Sequence, residues 1–156
     1  MQKNVLPAEK IYLQDGTELR LCVGAVPRQG HAKLYCSAMG IFFSLSSRGL
    51  NPNKPYVTKN FRRKPNVHSY YPRMCGFIGN PYCHILVAIA WVGPRRFNNE
   101  CHHLNGNHTD NRASNLIWLS PEAHRRFDAA LKKGLVLERQ DPGERTEYEM
   151  THHMEI

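Results

Sequence analysis

Two short stretches of alternating character open the chain's pattern. Residues 11–14 and 17–23 flank Asp15-Gly16, and Leu19, Leu21 and Val23 alternate with polar or small residues. Asp-Gly tolerates the positive φ angles of a tight turn, so this region predicts a β-hairpin. Residues 34–45 are rich in aromatic and aliphatic side chains interrupted by Gly40, which predicts another strand or a bent pair of strands. Residues 46–65 carry Gly49, Pro52, Pro55 and Pro65 with basic residues between them, and predict a loop or mobile arm. Residues 70–78 predict a strand, with a turn at Gly79-Asn80-Pro81. Residues 82–91 place Ile85, Leu86, Ala88, Ile89 and Trp91 as a packed short helix, ended by Gly93-Pro94.

The pattern is sharpest further on. Residues 98–104 predict one short strand, and Asn105-Gly106-Asn107 has strong turn chemistry. Leu116-Ile117-Trp118-Leu119 predicts a second strand. Ser120 then suits a helix N-cap, with Pro121 at the first helical position. Ala123, Phe127, Ala130 and Leu131 share one face of the helix that follows. Gly134 closes it, and Lys132 and Lys133 oppose its negative end. The local order is strand, loop, strand, helix. Residues beyond about 137 are charged and poorly patterned, and predict a flexible tail.

A length of 156 residues suits one compact domain, or a small catalytic module with a DNA-binding extension. No apolar run approaches the roughly 18 residues of a membrane helix, and the first ten residues lack a signal-type apolar stretch. The expectation is a soluble cytoplasmic protein with no membrane partner and no small-molecule substrate. The five cysteines (Cys22, Cys36, Cys75, Cys83 and Cys101) are odd in number and lack CxxC spacing, which argues against a disulfide framework or a zinc ribbon. They read as reduced, half-buried small residues.

Charge changes the picture through its distribution. The net charge is +8, and no Asp or Glu lies between Glu18 and Glu100. That interval holds Arg20, Arg28, Lys33, Arg48, Lys54, Lys59, Arg62, Arg63, Lys64, Arg73, Arg95 and Arg96. A one-signed stretch suits a polyanion, because phosphate neutralisation releases counterions. Arg62, Arg63 and Lys64, and Arg95 with Arg96, lie in predicted loops and are candidate DNA-backbone contacts. Arg112, Arg125 and Arg126 flank the histidine-rich region and are candidate phosphate clamps, although a solvated helix face accounts for Arg125 or Arg126 equally well.

An isolated His-His pair is usually surface decoration. Here His102-His103-Leu104-Asn105-Gly106 is followed by Asp110-Asn111-Arg112, Asn115-Leu116 with Trp118, and His124 on the helix. In order and spacing this resembles the HNH endonucleases, whose active site is the ββα-metal fold. The resemblance covers roughly a fifth of the chain and is closest to the phage-type and homing-type branch. Residues 82–91 are similar to the helix that precedes the motif there, and residues 35–44 more weakly resemble an N-terminal DNA-associated strand motif. Cys101 stands where an aliphatic or small polar residue is commoner. His108 stands where Lys or Arg often contacts phosphate.

The resemblance implies an α+β protein. A β-rich, basic, DNA-contacting region would span residues 1–80, an HNH ββα-metal module with its preceding helix 81–137, and a charged tail 138–156. The implied activity is metal-dependent hydrolysis of DNA phosphodiester bonds. His103 takes the position of the general base and Asn115 that of its partner, bracing the loop and orienting the base. His102 and His124 take the positions that bind one divalent cation. Neighbours on a strand point to opposite faces, which suits different roles for His102 and His103. Mg²⁺ or Mn²⁺ suits the catalysis, and histidine ligands also suit Zn²⁺ or Ni²⁺. The site reads as two histidines without a carboxylate. The competing readings are a non-catalytic DNA-binding protein that retains the fold, and a zinc-stabilised module built on Cys83, His84, Cys101 and His103.

Overall fold

In a computed structural model of the chain, residues 9–29, 32–56 and 71–134 are described. Five strands form an antiparallel meander: β1 (Lys10–Tyr12), β2 (Glu18–Leu21), β3 (Lys33–Ser37), β4 (Phe42–Ser46) and β5 (Gly49–Asn53). The expected hairpin at Asp15-Gly16 is β1–β2, and residues 34–45 are the pair β3–β4, turning at Gly40 with φ +74°.

Two expectations are corrected upstream of the histidines. Residues 49–53 are a strand and not a loop, with Pro52 opposite Phe43. Strand β5 pairs only with β4, so the missing N–H of Pro52 takes nothing from the sheet interior. Residues 71–78 are irregular and not a strand, with only isolated bridges from Arg73 to Tyr56 and Tyr82 and from Phe77 to Pro27, all outside the named strands. Pro72 donates nothing and Gly76 has φ +92°, so a ladder cannot run through them. Met74 and Phe77 are nevertheless fully packed in the core.

The helix α1 (Cys83–Val87) runs directly into a π-turn (Ala88–Val92), where Gly93 N–H reaches the Ala88 carbonyl at 2.9 Å. The expected helix over 82–91 therefore exists, with a wider last turn that ends at Gly93. Strands β6 (Glu100–His103) and β7 (Leu116–Leu119) form a separate antiparallel pair, with a 3₁₀ turn (Ala113–Asn115) entering β7. Helix α2 (Pro121–Lys132) follows; Ser120 Oγ accepts the Ala123 N–H at 3.2 Å, as an N-cap should. None of the helices is long and apolar enough to cross a membrane among the described residues.

Strand β7 is buried on both faces, which explains its unbroken Leu-Ile-Trp-Leu. Leu116 and Trp118 face a core shared with Leu34, Cys36, Phe42, Leu86 and Val87 from the sheet and α1. Ile117 and Leu119 face a second core with Leu104, Ala123 and Phe127 of α2. The β6–β7 pair is thus a partition between sheet and helix, and whatever projects from β6 enters one side or the other. Cys22, Cys36, Cys83 and Cys101 are reduced thiols and buried, more so than expected, and Cys75 is reduced and exposed. The expected DNA contacts at Arg62, Arg63 and Lys64 and the expected tail 138–156 lie outside the described residues.

Candidate active site

Period-two alternation on β6 separates the histidine pair. Cys101 faces the first core, and His103 projects on that same side. There its ring lies 5.1 Å from that of His84 on α1, 5.9 Å from Tyr71 and 5.5 Å from His108. Tyr71 stacks on His108 at 4.3 Å with the planes 14° apart. His102 projects to the other side, against Phe127 at 5.2 Å and His124 at 4.7 Å.

The Nε2 of His103 lies 2.9 Å from Asn111 Oδ1. An amide oxygen only accepts, so Nε2 carries the hydrogen and Nδ1 holds the lone pair. The ring is 2% exposed, and burial pulls its pKa down from 6.5 to about 4, against the raising effect of the Asn111 bond. His103 is therefore neutral at physiological pH. His84 is likewise pushed down to about 3, by burial first and by His103 and His108 second.

Asn115, 1% exposed, spends its amide on the loop. Its Oδ1 accepts the Asn105 N–H at 3.0 Å, and its Nδ2 donates to Asn105 Oδ1 at 3.0 Å and to the Asp110 carbonyl at 2.8 Å. The bracing expected of Asn115 is present. The bond to His103 belongs instead to Asn111, which sequence reasoning missed although the Asp110-Asn111-Arg112 run was in view. Asp110 ties the loop further: its carboxylate accepts from Arg112 Nε and Nη2 at 2.8 and 2.7 Å and from Asn105 Nδ2 at 2.8 Å. The Arg112 bond chiefly holds the Asp110 carboxyl below its usual range.

On the opposite face, one ligand atom from each of His102, His124 and Asp128 lies within 4.8 Å of the others. His102 Nδ1 is 3.7 Å and His124 Nε2 3.9 Å from Asp128 Oδ1. Those gaps exceed hydrogen-bond range. Ligands about 2.1 Å from a shared ion sit roughly 3.0–3.4 Å apart, so the two pairs with Asp128 would close by some tenths of an ångström around a divalent cation. The Nε2 of His102 is buried with no hydrogen-bond partner, and burial depresses that ring to about 3, which keeps it a neutral donor. The donor set fits a cation. Glu100 accepts a hydrogen bond from His124 Nδ1, the carboxylate–imidazole pattern that orients ligating histidines and leaves Nε2 for a metal.

The expectation of a site without a carboxylate is thus corrected by Asp128, one helical turn after His124. The i, i+4 spacing on α2 was a readable signal. Glu100 was less legible, since only the β6–α2 packing brings it to His124. The alternative set of Cys83, His84, Cys101 and His103 does not gather: among the described residues, the only cluster with metal-ligand spacing is that of His102, His124 and Asp128.

The arginines are placed as follows. Arg95 is exposed, with Nε on the Asn99 carbonyl at 2.8 Å; Arg96 and Arg125 are exposed; Arg126 pairs with Glu122 at 2.9 Å. The Arg112 fork is engaged by Asp110.

No protein-family model matches the chain, and no curated protein matches it. Among solved structures the chain is similar to one described as showing DNA binding and cleavage by the HNH homing endonuclease I-HmuI. The identity is 22% and the TM-score 0.47, over 69% of this chain and 56% of that one, so the chain spans little more than half the length of that relative.

Proposed function

We propose that the chain is a metal-dependent DNA endonuclease of the HNH type. One observation carries the reading: β6 sends His102 to a cation-suited cluster with His124 and Asp128, and its neighbour His103 to the other side as a neutral imidazole aligned by Asn111. The sequence resemblance and the acid-free basic stretch between Glu18 and Glu100 supply the substrate class.

In this reading His103 is the catalytic base. Asn111 holds Nε2–H, so Nδ1 takes the proton of a water whose oxygen attacks phosphorus, and the bond from phosphorus to the leaving 3′ oxygen breaks. The ring is buried, so a side chain must yield to admit water; Tyr71 and His108, stacked on each other beside it, are the candidates. Asn115 is a positioning residue that fixes the loop bearing Asn111. His102, His124 and Asp128 would hold the cation, with Glu100 orienting His124. When bound, the cation (Mg²⁺ or Mn²⁺, with Zn²⁺ or Ni²⁺ as other fits to histidine) supplies charge stabilisation at the phosphorane and the leaving oxygen. Residues 81–137 would form the nuclease module and residues 1–80 a DNA-contacting region. Arg62, Arg63, Lys64, Arg95, Arg96 and Arg125 would meet backbone phosphates, and Arg112 would do so only while also holding Asp110.

Supercoiled plasmid incubated with the protein and Mg²⁺ or Mn²⁺ tests this. The expected result is conversion to nicked or linear DNA that chelator abolishes. A salt-sensitive mobility shift without cutting under any of these metals would replace the nuclease reading with a DNA-binding one.

A further inference from the structure

The turn that delivers the chain into β6 carries a side chain that the fold does not use. Phe97 is 101% exposed, so its ring packs on nothing, while its backbone sits at φ +44°. A bulky residue is rare in that region of φ, where Gly or Asn is at home, so both the side chain and the backbone run against folding preference. Among the described residues, the other non-glycine at positive φ is Asn80, a type that tolerates it. The turn itself is well tied. Asn99 N–H donates to the Arg96 carbonyl at 3.0 Å, and Arg95 Nε donates to the Asn99 carbonyl at 2.8 Å. Phe97 is thus held out by a closed turn with exposed Arg95 and Arg96 immediately before it. Unfavourable backbone geometry kept at one position is a mark of function.

We propose that Phe97 is a wedge that enters duplex DNA between adjacent base pairs from the minor groove, with Arg95 and Arg96 on the flanking phosphates. This rests on the DNA-directed reading above and adds to it a site and a mode of contact. An exposed apolar side chain beside arginines is the equipment with which proteins unstack a base step and bend the duplex. Charge favours that partner over a second copy of this chain: the turn offers two cations and no acid between Gly93 and Asn99. The reach is also suitable. His102 lies five positions after Phe97, a span of at most roughly 18 Å, so wedge and cation cluster fall within one turn of DNA, about 34 Å.

The test is plasmid unwinding by the full-length protein under chelation, which prevents cutting. Protein is bound to relaxed closed-circular plasmid, topoisomerase I seals the change in twist, and topoisomers are resolved after the protein is removed. Wild type is expected to shift the distribution, and Phe97→Ala to lose most of that shift at equal DNA occupancy, with duplex affinity weakened roughly tenfold. Phe97→Leu, which keeps an apolar wedge, should retain part of it. Phe97→Asn should leave the thermal midpoint unchanged or a few degrees higher, because Asn accepts the backbone conformation. DNA binding with identical topoisomers for wild type and Phe97→Ala overturns the wedge alone, whereas no DNA binding at any salt overturns the nuclease reading with it. A large fall in thermal midpoint for Phe97→Asn, or DNA-independent self-association that Phe97→Ala abolishes, also overturns it.

Discussion

Two side chains aim the imidazoles of the candidate site. Asn111 fixes the tautomer and aim of His103, and Glu100 fixes those of His124. Their removal should therefore separate experimentally. Glu100→Gln keeps shape but weakens the acceptor, and should lower divalent-metal affinity by roughly 10- to 100-fold, measured by calorimetric titration. Asn111→Ala should leave metal affinity unchanged while lowering the cleavage rate at saturating metal. If Asn111→Ala loosens metal as much as Glu100→Gln does, the two faces of β6 are not independent and the division is wrong. The histidines themselves were plain in the sequence because their order and spacing form a dense local motif. The role of Asn111 is not legible in the sequence, since a turn-rich loop does not reveal which of its amides faces inward. The job fell by resemblance to Asn115, which spends its amide on Asn105 and Asp110.

At the scale of elements, the β3–β4 turn is a strut for the loop that bears Asn111. Ala113 N–H donates to the Ala38 carbonyl at 2.8 Å, and a Cβ at Gly40 would lie 2.5 Å from the Asn111 carbonyl oxygen. Gly40 is needed both for its φ of +74° and for that close approach. Gly40→Ala should destabilise by about 1–3 kcal/mol through strain and overpacking, and should lower cleavage further by pushing Asn111 off His103. Gly16→Ala is the matched control: it has a similar φ of +89° and nothing within 4 Å, so it should cost stability without touching the site. Equal behaviour of the two variants in urea melts and in cleavage would remove the strut. The sequence made the β3–β4 pair and the β6–β7–α2 unit legible, because alternation, Asn-Gly turn chemistry and the Ser-Pro cap act locally. It did not make β5 legible, since Pro52 argues against a strand until the strand is known to lie at an edge. Residues 71–78 misled in the opposite sense: their apolar side chains are buried, yet the backbone between Pro72 and Gly76 cannot join a ladder.

Across the whole molecule, the site places neutral imidazoles in the interior, and this ties stability to pH. His84 in the unfolded chain titrates near 6.5, whereas burial holds it near 3 in the fold. Between those values the unfolded state binds more protons, so stability rises with pH and is lost as pH falls from about 6.5 toward 3. His103, held near 4, acts with the same sign. Urea midpoints should therefore fall from pH 7.5 to pH 5, and His84→Phe, if it folds, should show a shallower fall. A midpoint independent of pH over that range would mean that these rings are solvated. The sheet and α1 supply the wall behind β6 and β7 that keeps His103 dry, a long-range arrangement that local pattern does not encode.

His103 is proposed to take the proton in phosphodiester hydrolysis. Its most direct test is the single-turnover cleavage rate of plasmid DNA by wild type and by His103→Ala, with metal saturating and DNA fully bound by both. The expected rate for His103→Ala is at least about 100-fold slower at unchanged DNA affinity. Equal cleavage rates under those conditions would contradict it.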